Sequence, residues 1–305
     1  MLTRRQTLTA AAAFGAQWAL PAVAQDRPKE QKLKTVATFS ILGDLVKNVG
    51  GERIEIATLV GPNSDAHVYS PTPADAKTLA QAKVVFINGL GLEGWLTRLV
   101  TAAGSKAATV TASTGIKPRK MQEDHHGGQF VTDPHAWQSI ANAKIYVANI
   151  RDGLAKADSA GKADYEANAT AYLAKLDALE SDVKAAIEKI PANRRRIITT
   201  HDAFGYFGAA YGMEFIAPQG VSTESEASAK DVAKIITQIR AQKIPAVFME
   251  NISDPRLMQQ IARETGAKIG GTLYSDALSD EKGPAATYID MMRNNVREFA
   301  AALVG

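Results

Sequence analysis

A single long helical segment divides this chain into two similar halves. Between Ser159 and Ile190 the sequence holds no proline and one glycine, Gly161. Apolar residues recur there every three or four positions, the period of one face of an α-helix. A helix of about 32 residues would be roughly 45 Å long, so the sequence predicts a stiff helix between two lobes. The repeating apolar positions are Tyr165, Ala169, Tyr172, Leu173, Leu176, Leu179, Val183, Ile187 and Ile190.

Each half alternates short apolar runs with amphipathic stretches, the pattern of a parallel sheet covered by helices. The predicted strands are 35–39, 54–59, 84–87 and 108–111, then 196–200, 213–216, 246–249 and 268–270. The predicted helices are 41–48, 73–81, 92–103 and 136–155, then 203–211, 229–242, 255–265 and 284–303. We therefore predict an α/β fold in which residues 34–158 form an N-terminal lobe, 159–190 the linking helix and 191–305 a C-terminal lobe.

The first 24 residues have the features of an export signal peptide. Arg4 and Arg5 give a positive start, residues 8–20 form an apolar stretch, and Ala-Val-Ala at 22–24 fits a cleavage site. The paired arginines also fit a twin-arginine signal, although an ordinary secretory signal that happens to hold two arginines explains them equally well. We expect a mature protein that begins near Gln25 and is located in the periplasm.

Composition narrows the class of protein further. The chain has no cysteine, which excludes disulfides and gives no lipid-modified cysteine at the signal junction, so we expect a free periplasmic protein and not a lipoprotein. Without Arg4 and Arg5 the formal net charge falls from +3 to +1, because 33 basic residues (35 minus 2) face 32 acidic ones. That balance gives no reason to expect binding to nucleic acid.

Three isolated histidines and one aspartate are the candidate metal ligands. His67, His135, His201 and Asp276 are separated by 68, 66 and 75 residues, which suggests one ligand per structural unit. All four fall in predicted loops, and parallel sheets bring the loops at the carboxyl ends of their strands together. Three imidazoles and a carboxylate would complete the coordination of one divalent ion in the cleft between the lobes. Because a lone histidine is usually structural, the prediction depends on the set.

The remaining two histidines are the adjacent pair His125-His126, within the polar segment Glu123 to Gly128. A segment of this kind is most often a solvent-exposed insertion. Its histidines would also suit an auxiliary role, in which they collect metal weakly before transfer.

The segment Gly89 to Gly94 fits the glycine pattern of dinucleotide-binding folds. The same fingerprint requires an acidic residue about 20 positions further on. No Asp or Glu occurs between Glu93 and Glu123, and the segment follows the third predicted strand, whereas the fingerprint belongs to the first. We interpret it as a flexible turn between a strand and a helix.

Five segments together resemble the zinc- and manganese-binding solute receptors of metal-importing ABC transporters, the cluster A-I periplasmic proteins. The likeness covers nearly all of the expected mature chain. The segments are Gly61 to His67 with Pro71 to Asp75, Asn88 to Glu93, Asp133 to Trp137, Thr200 to Phe207, and Tyr274 to Leu278.

The resemblance implies two α/β lobes joined by one long helix, with His67, His135, His201 and Asp276 as ligands of a transported ion. It also implies a membrane permease as partner, and a metallochaperone is a further candidate; we expect a monomer. In manganese-preferring members the third ligand tends to be glutamate, so His201 favours Zn²⁺. The short His125-His126 loop and the segment Ser222 to Glu226 look more like the mixed group, so Mn²⁺, or both ions, is the alternative.

Two other classes of function fit the same ligands. A zinc hydrolase would hold its metal with three histidines and use Glu250 as general base, but Glu250 is more simply a loop carboxylate making helix-cap or inter-lobe hydrogen bonds. A metal-dependent adhesin or a periplasmic zinc buffer would need no permease. The sequence has no His-Glu-x-x-His, Gly-x-Ser-x-Gly or phosphate-loop motif, so we expect a receptor and not an enzyme.

Overall fold

Two parallel four-stranded sheets form the framework of the molecule. The computed structural model describes residues 32–123 and 129–304, so the predicted signal peptide and the His125-His126 pair lie outside the described residues. The N-terminal sheet has the order β2-β1-β3-β4 and the C-terminal sheet the order β10-β9-β7-β8. The N-terminal strands are β1 (Leu33–Phe39), β2 (Ile54–Val60), β3 (Val84–Ile87) and β4 (Ala108–Thr111). A hairpin follows, β5 (Lys120–Glu123) and β6 (Gln129–Thr132), and the C-terminal strands are β7 (Arg196–Ile198), β8 (Glu214–Ile216), β9 (Ala246–Glu250) and β10 (Lys268–Leu273).

Helices connect the parallel strands, as crossover connections require. In the first lobe they are α1 (Ser40–Gly50), α2 (Pro73–Gln81), α3 (Leu96–Ala103) and α4 (Ile140–Ala157), and α5 (Lys162–Glu188) leads to the second lobe. The second lobe contains α6 (Gly205–Tyr211), α7 (Ala229–Gln242), α8 (Arg256–Thr265) and α9 (Tyr288–Leu303). The predicted fold, two α/β lobes with parallel sheets and a helical connection, is confirmed.

The linking helix α5 packs against both lobes. It contacts α1 and α4 of the first lobe and α9 of the second. Its buried side chains occupy the face that the apolar repeat predicts, and one hydrophobic core continues past it through both lobes. Close to this junction the Asp44 carboxylate of α1 accepts a hydrogen bond (2.9 Å) from the Tyr288 backbone N–H, the first residue of α9. Helix α5 is therefore embedded between the lobes as part of a shared core.

Three predicted helices, α3, α4 and α9, begin four residues later than the sequence suggests, and α9 starts at Tyr288 and not at residue 284. Helix α3 starts at Leu96 and not at residue 92, because Gly89, Leu90 and Gly91 adopt positive φ angles of 80°, 55° and 90° that hold the chain in a turn. The predicted helix 136–155 is divided: a short 3-10 turn, Ala136–Gln138, precedes α4, and Ser139 between them is extended. Contacts with the second lobe, described below, hold that turn in place.

The antiparallel hairpin β5–β6 was not predicted, and its strands flank the segment that contains the unassigned histidine pair. Of the helices within residues 32–123 and 129–304, none is both long and apolar enough to span a membrane.

Candidate metal centre

The four predicted ligands meet in one buried cluster between the lobes. One donor atom from each of His67, His135, His201 and Asp276 lies within 4.8 Å of the others. His67 follows β2, His201 follows β7 and Asp276 follows β10, at the carboxyl ends of their strands. His135 comes instead from the segment between β6 and α4. Three of the side chains are fully buried, and His67 is 8% exposed.

The distances within the cluster suit a small divalent cation. The Nε2 atom of His135 lies 3.2 Å from that of His67 and 3.4 Å from that of His201. The Asp276 Oδ2 atom lies 3.1 Å from Nε2 of both His67 and His201, and Oδ1 lies 3.4 Å from Nε2 of His135. A tetrahedral zinc ion with ligand distances of about 2.0 to 2.1 Å separates its ligands by roughly 3.3 to 3.4 Å. The protein thus holds the donor atoms at nearly the spacing that an ion would impose.

Asp276 is the strongest indication that the cluster is built for a cation. Its carboxylate is fully buried, and neither oxygen receives a hydrogen bond of good geometry from the described residues, although imidazole nitrogens lie nearby. A buried carboxylate without donors is unstable unless it is paired with positive charge. A divalent ion supplies that charge.

The ionisation of the cluster reflects the same need. Burial alone would lower the pKa of His135, but the Asp276 and Asp133 carboxylates raise the pKa to about 9. Burial opposes the charged form of His201 too, and Glu250 and Asp276 raise its pKa well above the ordinary value. Burial would raise the pKa of Asp276, yet His201 and His135 hold it well below the usual range. Protons therefore compete with a metal for this site.

Two carboxylates behind the histidines orient the imidazole rings. Asp133 Oδ1 lies 2.9 Å from His135 Nδ1 and also accepts a hydrogen bond from the His135 backbone N–H. Glu250 Oε2 lies 2.5 Å from His201 Nδ1, while Oε1 accepts hydrogen bonds from the Thr200 and His201 backbone N–H groups. A partner on Nδ1 directs Nε2 towards the metal and makes it more basic.

These positions revise the interpretation of Glu250 and add a residue that the sequence analysis missed. Glu250 neither caps a helix nor bridges the lobes; it binds the loop after the neighbouring strand β7. Asp133 was not assigned a role, although Asp65-Ala66-His67 and Asp133-Pro134-His135 repeat the pattern Asp-x-His. In both, the aspartate accepts a hydrogen bond from the histidine backbone N–H, a turn typical of aspartate. That repeat was the available signal.

The loop that carries His67 is attached directly to the second lobe through Asn63, which adopts a positive φ of 52°. The Asn63 backbone N–H donates to the Leu278 carbonyl (2.9 Å) and Nδ2 donates to Asp280 Oδ2 (3.1 Å). Asn251 Nδ2 donates to Asn63 Oδ1 (3.1 Å). We call these three bonds the Asn63 clamp, and they hold the His67 loop against the loop that carries Asp276.

Further bonds tie both histidines of the first lobe to the second. Asp65, which accepts from the His67 backbone N–H, also accepts a hydrogen bond from the Thr223 hydroxyl (2.6 Å). Behind His135, Trp137 Nε1 and Gln138 Nε2 both donate to the Ser275 carbonyl, at 2.9 and 2.8 Å. The ligand set is therefore assembled by contacts that cross the cleft.

The glycine-rich segment after β3 has a structural role. The buried Glu93 carboxylate accepts hydrogen bonds from the Asn88 (2.6 Å) and Gly89 (3.1 Å) backbone N–H groups and from the Thr38 hydroxyl. In dinucleotide-binding folds, the phosphates bind at the Gly-rich turn. Here the Glu93 carboxylate accepts hydrogen bonds from backbone N–H groups of the turn. This agrees with the interpretation of Gly89 to Gly94 as a turn between a strand and a helix.

The comparison with known families agrees with this geometry. Residues 35–302 match the family model ZnuA, described as zinc-uptake complex component A, periplasmic. The chain belongs to the ZnuA family. The resemblance inferred from the sequence is thereby confirmed.

Individual relatives of this ZnuA-family chain carry the names of different metals. It is 34% identical over 300 residues to the iron-binding protein YfeA of Yersinia pestis, covering 97% of this chain and 95% of YfeA. It is 36% identical over 271 residues to the manganese-binding lipoprotein MntA of Halalkalibacterium halodurans, covering 89% and 88%. Among solved structures, the periplasmic zinc-binding protein TroA of Treponema pallidum superposes with a TM-score of 0.84 at 31% identity, covering 90% and 100%.

Replacement of Glu250 tests its orienting role in this ZnuA-family site. Glu250→Gln removes the charge beside His201 Nδ1, so we expect zinc affinity to fall by about 10- to 100-fold, the usual effect of losing an outer partner of a ligating histidine. Competition with a chelator of known affinity measures the change. Glu264→Gln, on the exposed side of α8, is the matched control, and an equal loss in both variants would contradict the assignment.

Binding of zinc should release protons. The neighbouring carboxylates raise the pKa of His135 to about 9, so this ring favours the protonated form near neutral pH, and the pKa of His201 is raised well above its usual value; a ligating Nε2 carries no proton. Affinity should thus keep rising up to about pH 9 and not level off near 6.5. Calorimetry in buffers of different ionisation enthalpy counts the protons, with about one or two expected. A count of zero would contradict these raised pKa values.

The Asn63 clamp is tested by Asn63→Gly. Glycine accepts the positive φ at this position, so the variant removes the two side-chain bonds and leaves the backbone unstrained. Each lost bond is worth about 0.5 to 1.5 kcal/mol, so the two together are worth about 1 to 3 kcal/mol, and we expect zinc to dissociate roughly 5- to 150-fold faster. Release into excess chelator gives the rate, and a rate equal to that of the unmodified protein would show that the clamp does not hold the His67 loop.

Proposed function

We propose that this chain is the extracytoplasmic receptor of a metal-importing ABC transporter, which captures a divalent ion and delivers it to a membrane permease. The observation that supports this most directly is the assembly of three imidazoles and one carboxylate from both lobes at 3.1 to 3.4 Å. The proposed ligands are His67, His135, His201 and Asp276. Membership of the ZnuA family supports the transport role.

The transported ion that we propose is Zn²⁺. Three neutral imidazoles suit zinc, the ligand spacing fits its tetrahedral geometry, and zinc exceeds manganese in affinity for the same ligands. Manganese remains the alternative, because Asp276 has two oxygens near the histidines and bidentate binding would give five donors for a larger ion. The relatives named for iron, manganese and zinc favour no single metal.

A hydrolase is a poorer explanation of the same residues. Hydrolysis needs an open coordination position for water and a general base that reaches it. Here Asp276 fills the fourth position, and Glu250 contacts Nδ1 of His201, on the opposite edge of the ring from Nε2. Glu250 is thus placed to orient a ligand and not to activate water.

The cellular setting follows from the family and from the N-terminal sequence. We propose a periplasmic protein, exported through either secretory route. The relatives give no support for a free form over a lipid-anchored one, since MntA is named a lipoprotein. A monomeric state and delivery by a metallochaperone stay predictions from the resemblance.

Alanine at His67, His135 or His201 tests the ligand assignment. Each change removes one donor, so zinc affinity should fall by more than about a hundredfold, beyond the effect of an outer-shell change. Equilibrium competition with a chelator measures this, and circular dichroism checks that each variant folds. Normal affinity in any two of the variants would refute the assignment.

Transport is tested in the host cell. Deletion of the gene should reduce uptake of radioactive zinc and slow growth when zinc is scarce. Excess zinc should restore the growth of the deletion strain, whereas a gene that encodes the His201→Ala variant should not. Competition with manganese in the same assay identifies the preferred ion. Unchanged uptake after deletion would favour the zinc buffer or the adhesin over a receptor.

A further inference from the structure

One surface cavity is lined in part by a residue of the proposed metal site. It has a volume of about 540 Å³, and its wall includes His67, which alone among the four proposed ligands is not fully buried. A water molecule occupies about 30 Å³ in the liquid, so an ion with six waters needs roughly 180 Å³ and fits within this space. A hydrated ion therefore has room in the cavity that His67 lines.

The wall of the cavity combines apolar side chains with one carboxylate. Apolar side chains supply much of it, among them Leu90, Leu92, Val131 and Val221, and these offer no atoms that bind a metal. Among the described residues that line the cavity, Glu224 is the single carboxylate, and it is exposed to solvent. A lone negative charge in a poorly polarisable wall concentrates the electric field along the cavity and attracts cations.

A second cavity nearby does not reach the ligands. It has a volume of about 660 Å³ and is lined by Asp65, Thr200, Thr223 and Glu226, none of which is in the cluster. The hydrogen bond from Thr223 to Asp65 lies at this second cavity, while Val221 and Glu224 of the same loop line the first. Residues of one loop thus line both cavities, and of these two cavities the first is the one lined by a proposed ligand.

We propose that the metal enters and leaves through the first cavity on the His67 side, and that Glu224 is the residue that captures the hydrated ion at its entrance. His67 then replaces the first water, and the three deeper ligands follow. This assignment rests on the proposed metal-binding function. It adds a route and a capture residue that lies outside the ligand set.

Gly94 allows the route to be obstructed without touching a ligand. It lines the cavity, and a Cβ atom added there meets no heavy atom within 4 Å. We expect Gly94→Trp to slow both association and dissociation of zinc by about fivefold or more with the equilibrium constant unchanged, because an obstruction on the proposed route affects entry and exit equally. Gly94→Ala is the size control and should leave both rates unchanged.

Glu224 is tested by its charge. In Glu224→Gln, zinc association should slow by about three- to tenfold at low salt, and the difference should shrink at high ionic strength as the charge is screened. Glu226→Gln is the matched control, because Glu226 is exposed on the same loop but lines the other cavity. Stopped-flow competition between zinc and a fluorescent chelator gives the association rates.

The outcomes separate the route from the proposed function. Unchanged rates in Gly94→Trp, or equal slowing in Glu224→Gln and Glu226→Gln, would overturn the route while zinc affinity stayed normal. Failure of the unmodified protein to bind either zinc or manganese would overturn the proposed function, and the route with it. Equal slowing of both rates in Gly94→Trp together with a Glu224-specific loss would establish the proposal.

Discussion

The structure depends on a buried carboxylate that needs positive charge. Asp276 is completely enclosed at the contact between the lobes, with three imidazole nitrogens around it. The Asp276 carboxylate helps to raise the pKa values of His135 and His201, so protons on these rings are one source of that charge. With a metal bound, the ion supplies it and the protons leave. Protons and a metal ion therefore compete for the site, and its affinity for metal depends on pH.

The fold positions these groups through loops and connects the lobes through a shared core. Parallel strands of two separate sheets end near one another, so the loops after β2, β7 and β10 bring their side chains to one point. The contacts behind the ligands are as specific as the ligands themselves. Asp133 and Glu250 fix two rings, and the Asn63 clamp fixes the loop of the third histidine.

Hydrophobic periodicity predicts most of this architecture, because the spacing of apolar residues within each strand or helix determines which of its faces is buried. All eight strands of the parallel sheets and the apolar face of α5 were predicted from pattern alone, and the four proposed ligands lie together as their spacing suggested. The late start of α3 has a local cause in the positive φ angles of Gly89 to Gly91, whereas the division of the helix predicted at 136–155 has its cause in tertiary contacts. The turn at Ala136–Gln138 forms because Trp137 and Gln138 bind Ser275, which is remote in sequence.

The role of Glu250 was equally hidden, since it depends on which strand neighbours β9. Strand order cannot be read from one sequence. Asp133 was within reach, because its hydrogen bond to His135 spans two residues.

The embedded position of α5 has a consequence for how a permease would distinguish loaded from empty receptor. Helices α1, α4 and α9 all pack on this helix. A large hinge opening of the two lobes would therefore disrupt the hydrophobic core that they share. Rearrangement of the loops at the edge of the cleft would disrupt much less of this core. A permease would then distinguish the loaded from the empty receptor by the conformation of the loops at the edge of the cleft, while the distance between the lobes stays the same.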